Sequence, residues 1–267
     1  MTDYIHYTKR QICTRFPLDI CSPWYSELHD FNSKFDTPCF HITRQNWWPV
    51  GEVKSGDVIW LLSQLKSKWG DLLPSLDGKI VVGEIYKHSM GNGKVKYKFF
   101  ADSNSRWFNL SDQLDTLKNL KILRKNGTVY QPLLKEKYSV GQEFQSIKRV
   151  LNPEILEYIS DKIVNEKFDF VSYRVTDGTR NAFTKAKELL ANGNNVFWDR
   201  WSLPRRLAER RELVNDENLE SLILNKIREA AIVWGIESKN YAESDTYSNT
   251  EKVLALELNK YHPVKVK

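Results

Sequence analysis

The second half of the chain alternates short apolar strands with amphipathic helices, and this rhythm constrains the fold more than any other feature. The segment AIVWGI (Ala231–Ile236) has almost no polar residue, which is typical of a parallel strand covered on both faces. The other predicted elements are the strands Phe168–Arg174, Asn194–Trp198 and His262–Lys267 and the helices Asn181–Gly193, Asn218–Ala230 and Ser248–Tyr261. The pattern predicts an α/β domain with a doubly wound, flavodoxin-like parallel sheet.

The first half is predicted to be mainly β, because short alternating runs are separated by glycine-containing turns. The predicted elements are the strands Cys39–Gln45, Gly56–Leu62, Gly78–Tyr86 and Lys94–Asp102, a hairpin tip at Met90–Gly93 and a helix over Leu110–Leu120 with Ser111 as N-cap. Many short strands with few helices favour a small barrel or a curled sheet.

A helical joint is predicted between the halves, since Asn152-Pro153 can start a helix that ILEYISDKIV continues. The chain has 267 residues, which suits two domains. We therefore expect a boundary near residue 160, dividing a mainly-β domain over 1–160 from an α/β domain over 161–267.

Charge and composition narrow the classes of partner. The net charge, counted as Lys and Arg minus Asp and Glu, is 22 minus 17, or +5, for residues 1–160. For residues 161–267 it is 18 minus 17, or +1. That excess of positive charge is too small to indicate a domain that binds double-stranded nucleic acid through its phosphates. No apolar run approaches the ~20 residues that span a bilayer, and no signal peptide is evident. The three cysteines fit free thiols, so no membrane contact and a cytoplasmic location are expected.

Candidate site residues follow the predicted strands, because ligands of such sheets gather beyond the carboxyl ends of the strands. Polar and aromatic side chains cluster there: Ser172, Tyr173, Arg174 and Asp177 after the first strand, Trp198, Asp199, Arg200 and Trp201 after the second, and Tyr247 with Glu251 after the third. We expect Glu251 in the first turn of its helix, where the helix dipole would keep its carboxylate ionised. The alternative is that Glu251 only stabilises that helix, as a capping-box partner of Ser248.

Four segments in order resemble the boxes of TIR (Toll/interleukin-1 receptor) domains. They are FVSYRVTDG, GNNVFWDRWSLP, AIVWGIESKNYAES and YSNTEKVLALE, together covering roughly residues 165–267. The last is similar to the Trp-Cys-x-x-Glu segment of NAD-cleaving members, with Tyr247 in the Trp place and Glu251 aligned with the catalytic glutamate. Lys239 replaces a usual proline, residues 203–218 are longer and more charged than usual, and the chain stops where the family has one more helix.

The resemblance implies an NAD+ glycohydrolase or cyclase that cleaves the nicotinamide–ribose bond, with NAD+ as substrate and no cofactor. It implies that Trp198 or Trp201 stacks on a base, that Arg200, Arg205 or Arg206 meets the pyrophosphate, and that TIR domains assemble into a homo-oligomer. The sequence contains no glycine-rich dinucleotide fingerprint, and its histidines form no ligand pair, so neither a dehydrogenase nor a metal site is expected. Two alternatives stay open: a self-associating scaffold without turnover, and an enzyme like a nucleoside deoxyribosyltransferase.

The first half has a weaker resemblance. GDVIWLL and KIVVGEI are similar to segments of the PUA-like superfamily, including its EVE and ASCH branches, over about residues 38–125. The resemblance implies binding of a nucleic acid or a modified nucleotide. The tryptophans Trp47, Trp48, Trp60, Trp69 and Trp107 are candidates either for stacking on a base or for the barrel core. Together the two resemblances imply a prokaryotic antiphage or stress effector gated by its N-terminal domain.

Overall fold

The structure is a computed structural model that describes residues 1–11, 37–38, 40–134, 137–202, 216–243 and 247–266. Within these ranges the chain has a mixed α/β fold with a ten-stranded sheet and a separate four-stranded parallel sheet. No helix of the described ranges is both long and apolar enough to cross a membrane.

The large sheet is built from residues 3–150. Its strands are β1 (Asp3–Gln11), β2 (Phe40–Thr43), β3 (Val58–Ser67), β4 (Gly70–Asp71), β5 (Ser75–Ser89), β6 (Val95–Ala101), β7 (Arg106–Trp107), β8 (Ile122–Leu123), β9 (Val129–Tyr130) and β10 (Lys148–Val150). The accompanying helices are a 3-10 turn at Val50–Glu52, α1 (Leu114–Leu117), α2 (Lys137–Glu143) and α3 (Glu154–Asn165).

The strand order of this sheet is β2-β6-β5-β3-β1-β10-β8-β9, with β4 and β7 attached to β3 and β5. The pairing of β1 with β3 is parallel and the other pairings are antiparallel. The described pairings follow an open path from β2 to β9. The sheet curls along this path, because His41 of β2 lies against His6 of β1, with Nε2 and Nδ1 2.8 Å apart.

Strand β3 is buried on both faces because its side chains alternate between two cores. Trp60 and Leu62 enter a cluster that includes Leu156 of α3, whereas Ile59 and Leu61 enter the cluster on the opposite face. A sheet covered on both sides explains why β3 is a nearly continuous apolar run.

The four strands of the smaller sheet are β11 (Phe168–Ser172), β12 (Asn195–Phe197), β13 (Ile232–Glu237) and β14 (Tyr261–Lys265). They lie in the order β12-β11-β13-β14 and every pairing is parallel, which confirms the predicted α/β parallel sheet. The helices of this half are α4 (Val175–Ala191), α5 (Asp199–Ser202), α6 (Asp216–Glu229), α7 (Lys239–Ala242) and α8 (Tyr247–Glu257).

Helices cover both faces of the parallel sheet. Phe183 and Leu189 of α4 pack with Val171 and Ile236 on one face. On the other face, Ile227 of α6 joins a separate cluster that also includes Ala255 of α8. This arrangement removes the apolar sides of the strands from water, which is the main stabilising contribution to such a fold.

Some predicted boundaries were wrong. Helix α4 begins at Val175, six residues before the predicted start, with Arg174 as its N-cap residue. Only Leu114–Leu117 of the predicted helix over Leu110–Leu120 is helical. Ser111 does not cap it, because the N-cap residue is Gln113 and the Ser111 hydroxyl oxygen instead accepts Gln113 Nε2 at 2.6 Å.

The two halves share one hydrophobic cluster. Leu65 and Leu110 of the first half pack in the same cluster as Trp198 and Trp201 of the second. Leu110 also forms an antiparallel bridge with Val196, with N–O distances of 3.1 and 2.8 Å. The contact is therefore a continuous packed core reinforced by backbone hydrogen bonds.

Candidate active site

The carboxyl ends of the parallel strands bring several polar side chains together. Strand β11 lies between β12 and β13, so its two neighbours are reached by connections that leave in opposite directions. A crevice is expected at such a point, and it is where ligands of open α/β sheets bind. Ser172 is the last residue of β11, Asp199 follows β12, and Glu237 ends β13.

Glu251 lies at this crevice, on the second turn of α8. The hydroxyl of Ser172 donates a close hydrogen bond to Glu251 Oε2. Burial, opposed by the hydrogen bond from Ser172 and assisted by the nearby charge of Asp199, raises the pKa of the Glu251 carboxyl to about 7. The carboxyl is therefore poised to exist in either protonation state near neutral pH.

The expected ionisation of Glu251 by its helix terminus was wrong on two counts. Helix α8 begins at Tyr247, so Glu251 is its fifth residue and lies beyond the first turn, where the dipole effect is strongest. Burial also raises the pKa of the Glu251 carboxyl, because moving a carboxylate out of water disfavours its charged form.

Two tyrosines extend the cluster away from Glu251. The Tyr241 hydroxyl lies 3.1 Å from Ser172 Oγ and is also hydrogen-bonded to the hydroxyl of Tyr261. Either hydroxyl can be the donor in the contact between Ser172 and Tyr241. Burial raises the pKa of Tyr241 to about 12, so its phenol stays protonated at neutral pH.

An ion pair lies at the other end of this series of hydrogen bonds. The Tyr261 hydroxyl donates to Glu237 Oε1 at 3.1 Å, and Lys252 Nζ donates to the same oxygen at 2.8 Å. The bond from Lys252 holds the pKa of Glu237 below its usual value. A Cβ on Gly235 would stand 2.2 Å from the Tyr261 hydroxyl oxygen, so only glycine leaves room for this ring against β13.

Tyr173 and Asp199 form the other side of the crevice. The Tyr173 hydroxyl donates to Asp199 Oδ1 at 2.7 Å, and the ring of Tyr173 lies 6.3 Å from that of Trp198. Ser172, Tyr173, Asp199 and Glu251 therefore form one cluster, as the rule for strand ends predicts.

Asp177 has a different role from the one expected. Its carboxylate accepts Ser238 Oγ at 2.7 Å and the backbone amide of Asn240 at 2.9 Å. These bonds join the first turn of α4 to Ser238, which precedes α7, and to Asn240 within α7. Asp177 thus fixes the helix that carries Tyr241, and both of its carboxylate oxygens accept a bond there.

Trp198 and Trp201 do not line the crevice. Their side chains are 0% and 2% exposed, and Trp201 Nε1 donates to the carbonyl of Phe108 at 3.0 Å. Neither ring presents a face to a ligand, which corrects the expectation that one of them stacks on a base. Trp201 is held against Phe108 of the first half, and Trp198 packs against Phe183 of α4 with ring centroids 6.3 Å apart, in a cluster that also includes Leu65 and Leu110.

Several expectations fall outside what the structure describes. Arg205 and Arg206 lie outside the described residues, as do Cys13, Cys21 and Cys39. The side chains of Arg200 and Tyr247 are likewise outside the description, although their backbones belong to α5 and α8. Arg174 is partly buried at the start of α4.

The sequence-based reasoning missed Tyr241 and Tyr261. Tyr241 lies in the polar segment after β13 and carried a usable signal, since it follows a strand end. Tyr261 was assigned to the end of a helix, whereas α8 ends at Glu257 and Tyr261 opens β14. Asn259, with a φ of 55°, provides the left-handed turn between them.

Fold and site together define a mixed α/β protein with a carboxylate–hydroxyl cluster at the carboxyl edge of its parallel sheet. Comparison with family models, with curated proteins and with solved structures found no match in any of the three. Among the residues that the structure describes, no group of three or more His, Cys, Asp or Glu side chains is arranged to hold a metal ion.

Proposed function

We propose that this chain cleaves the bond between nicotinamide and ribose in NAD+, with Glu251 as the catalytic residue. The observation that carries the proposal is the partly buried Glu251 carboxyl, held by Ser172 at the crossover point of the parallel sheet. NAD+ is a substrate in this proposal, and no cofactor takes part.

The chemistry needs a negative charge beside the ribose. As nicotinamide leaves as a neutral base, positive charge builds on the sugar in an oxocarbenium-like state. An ionised carboxylate fixed nearby stabilises that charge without having to reorganise, and this is the effect that contributes most in many enzymes. The Ser172 hydroxyl keeps the carboxylate oriented, and Tyr241 keeps the Ser172 hydroxyl oriented in turn.

The raised pKa of Glu251 fits this role. A carboxyl with a pKa of about 7 is readily ionised when a cationic nicotinamide ring approaches, because opposite charges favour the charged form. In the empty site, the same carboxyl is partly protonated at neutral pH. The site is therefore electrostatically matched to a positively charged substrate.

The remaining substrate contacts are proposed for side chains around the same crevice. We assign the ribose hydroxyls to Glu251 and Asp199, and the neighbouring surface to Tyr173 and Arg174. Arg200 and Tyr247, whose side chains lie outside the description, stay candidates for substrate contact from the sequence alone. Trp198 and Trp201 are left out, because their burial gives them a packing role. Asp177 supports the site from outside through Ser238 and Asn240.

The proposal includes a more specific fold for each half of the chain. We propose that residues 161–267 form a TIR-type domain and that residues 1–160 form a PUA-like domain joined to it. The strand order β12-β11-β13-β14 supports the first part, since flavodoxin-like sheets begin with the order second, first, third, fourth. The open path of the large sheet gives the second part weaker support.

Gating by the first half has a physical basis in the shared core. Trp201 and Asp199 lie on the short helix α5, and the Trp201 indole is bound to the carbonyl of Phe108. A movement of the first half would therefore move Asp199 relative to Glu251. We propose that the protein is a cytoplasmic antiphage or stress effector controlled in this way.

We also propose assembly into a homo-oligomer through the second half. Val253, Leu256 and Leu258 are 47%, 52% and 38% exposed near the end of α8. Among the described strands, the neighbouring β14 pairs with β13 alone and lies at an edge of the sheet. Exposed apolar side chains beside a strand edge are features that subunit contacts commonly cover.

The direct test is incubation of the purified full chain with NAD+, followed by chromatography for nicotinamide. Glu251→Gln is expected to remove nicotinamide release, while Glu257→Gln, an exposed carboxylate on the same helix, serves as the matched control. Equal release by wild type and Glu251→Gln contradicts the proposal. Base exchange with deoxynucleosides in place of NAD+ cleavage would favour the deoxyribosyltransferase-like alternative, and assembly without turnover of either would favour the scaffold.

A further inference from the structure

The hairpin of β5 and β6 presents an outward face on which aromatic and basic side chains alternate. In its antiparallel register, Tyr86 lies opposite Lys98, His88 opposite Lys96, and Glu84 opposite Phe100. Side chains two residues apart on a strand share a face, so these residues all project to the same side. The other side carries Phe99 and Ile85 into the core of the sheet.

The aromatic rings of this outer face are arranged in pairs. Tyr86 is 56% exposed, and its ring stacks on that of His88 with centroids 6.5 Å apart and planes 21° apart. Phe100 and Phe40 of the adjoining strand β2 form a second pair, edge to face, with centroids 6.4 Å apart. Tyr86 and His88 are the exposed rings of this face, whereas Phe40 and Phe100 are partly buried.

A lysine is fixed between the rings. Lys98 Nζ lies 4.0 Å from the ring centroid of Phe40 and 4.6 Å from that of Phe100. Four lysines and one glutamate lie between Glu84 and Lys98, a net charge of 4 minus 1, or +3, within one hairpin. Positive charge is therefore concentrated on the element that also exposes the aromatic surface.

We propose that this outer face, defined by Phe40, Tyr86, His88, Lys96, Lys98 and Phe100, binds single-stranded nucleic acid. Unpaired bases stack on the exposed rings, and the lysines bind the phosphates that run past them. Side chains two residues apart on a strand are separated by about 6.6 Å, which lets successive rings meet successive unstacked bases. A duplex keeps its bases stacked inside and cannot use the rings.

The test is fluorescence anisotropy of the full chain with labelled single-stranded RNA and DNA of about twelve nucleotides, within the range that small modules cover. The same sequences as duplexes, and vesicles containing phosphatidylserine, are the competing probes. Binding to either single strand that exceeds binding to its duplex supports the proposal. No binding, duplex binding of equal strength, or preferential binding to the vesicles overturns it.

Matched variants then locate the site. Tyr86→Ala is expected to weaken single-strand binding about fivefold or more, since each base stacked on an aromatic ring contributes at least that much. Tyr158→Ala removes a tyrosine of similar exposure, 62% against 56%, from helix α3 and is expected to change nothing. Equal effects of the two variants would place the binding elsewhere and overturn the proposal.

A phosphate contact of Lys98 can be detected in the salt dependence of the affinity. Lys98→Gln is expected to reduce the slope of log affinity against log salt concentration by about 0.7, the value for one phosphate contact with a single strand. An unchanged slope in a folded variant contradicts the phosphate role of Lys98. The measurement does not involve NAD+, so its outcome is independent of the proposed enzymatic function.

Discussion

The hydroxyl of Ser172 donates a hydrogen bond to the carboxylate of Glu251, although 79 positions separate the two residues in the chain. The bond joins the end of the central strand β11 to helix α8. It is formed where the parallel strands end, so the fold itself brings together two side chains that sequence distance would keep apart. The ionisation of Glu251 and the chemistry proposed for it both depend on this contact.

The first prediction concerns the pH dependence of catalysis. In the proposed reaction the ionised form of Glu251 is the active form, and its pKa is raised to about 7, so kcat/KM should rise with pH and reach half its plateau near pH 7. Ser172→Ala removes a bond that favours the ionised form. Hydrogen bonds to charged groups contribute about 1.5–3 kcal/mol, so the midpoint should move to higher pH by about 1–2 units.

The profile is measured as nicotinamide release from NAD+ by wild type and Ser172→Ala between pH 5 and pH 9. Ser160→Ala, which changes a buried serine of helix α3 that is not a member of the cluster around Glu251, is the control. A midpoint that stays in place in Ser172→Ala would show that the hydroxyl does not tune the carboxyl.

The second prediction concerns stability. The Glu251 pKa is about 7 in the folded chain against an ordinary value of 4.5, so between these pH values the folded state retains a proton that the unfolded state has lost. The proton retained on Glu251 therefore stabilises the folded state fully below pH 4.5, and this stabilisation is lost as pH rises through 7. Relative to wild type, Glu251→Gln should gain stability over that window, by up to about 3 kcal/mol.

Denaturant unfolding of wild type and Glu251→Gln at pH 5 and pH 8 measures this gain. Glu257→Gln is the control, because its carboxylate is exposed on the same helix. A free-energy difference between Glu251→Gln and wild type that is the same at both pH values would mean that the carboxyl is not desolvated.

The third prediction concerns Gly235. An added Cβ would stand 2.2 Å from the Tyr261 hydroxyl oxygen, so Gly235→Ala must displace the ring and loosen its bonds to Tyr241 and Glu237. Overpacking of this kind typically costs about 1–3 kcal/mol. Gly83→Ala is the matched control, because its nearest neighbouring atom would lie at an ordinary 3.6 Å. Thermal unfolding of both variants should separate them, and equal melting temperatures would contradict the contact.

The fourth prediction concerns the contact between the halves. Trp201→Phe keeps most of the buried ring but removes the donor to the Phe108 carbonyl, which is left without that partner in a buried position. The free energy of unfolding should fall by about 1–3 kcal/mol. Trp47→Phe, at a side chain that is 60% exposed, should change it by less than about 0.5 kcal/mol. Similar losses in both variants would count against the bond.

The parallel sheet and the nucleus of the site could be predicted because their signals are local. Apolar strands alternate with amphipathic helices, and the rule for strand ends points to Ser172, whereas the resemblance to TIR domains singles out Glu251 in the helix that follows the third strand. The burial of Trp198 and Trp201 has no such signal, since it depends on side chains of the large sheet more than a hundred residues earlier. The raised pKa of Glu251 was unpredictable for the same reason, because desolvation is a property of the packed site.

Strand β1 was missed for a related reason. Its buried residues include polar ones, which local pattern rules assign to the surface. Asp3 accepts Trp60 Nε1 at 2.7 Å, and Thr8 Oγ1 lies 2.7 Å from Ser63 Oγ. These partners are 57 and 55 positions away, so the pairing that makes the burial favourable appears only after folding.

The shared core also determines how the protein can be studied in pieces. Cutting the chain near residue 160 would strip the cover from two indoles and from the backbone of Val196. A fragment comprising only residues 161–267 would expose this apolar surface and self-associate through it. Any activity measured on the fragment would then be distorted by aggregation. Dissection should therefore proceed by point substitution in the intact polypeptide.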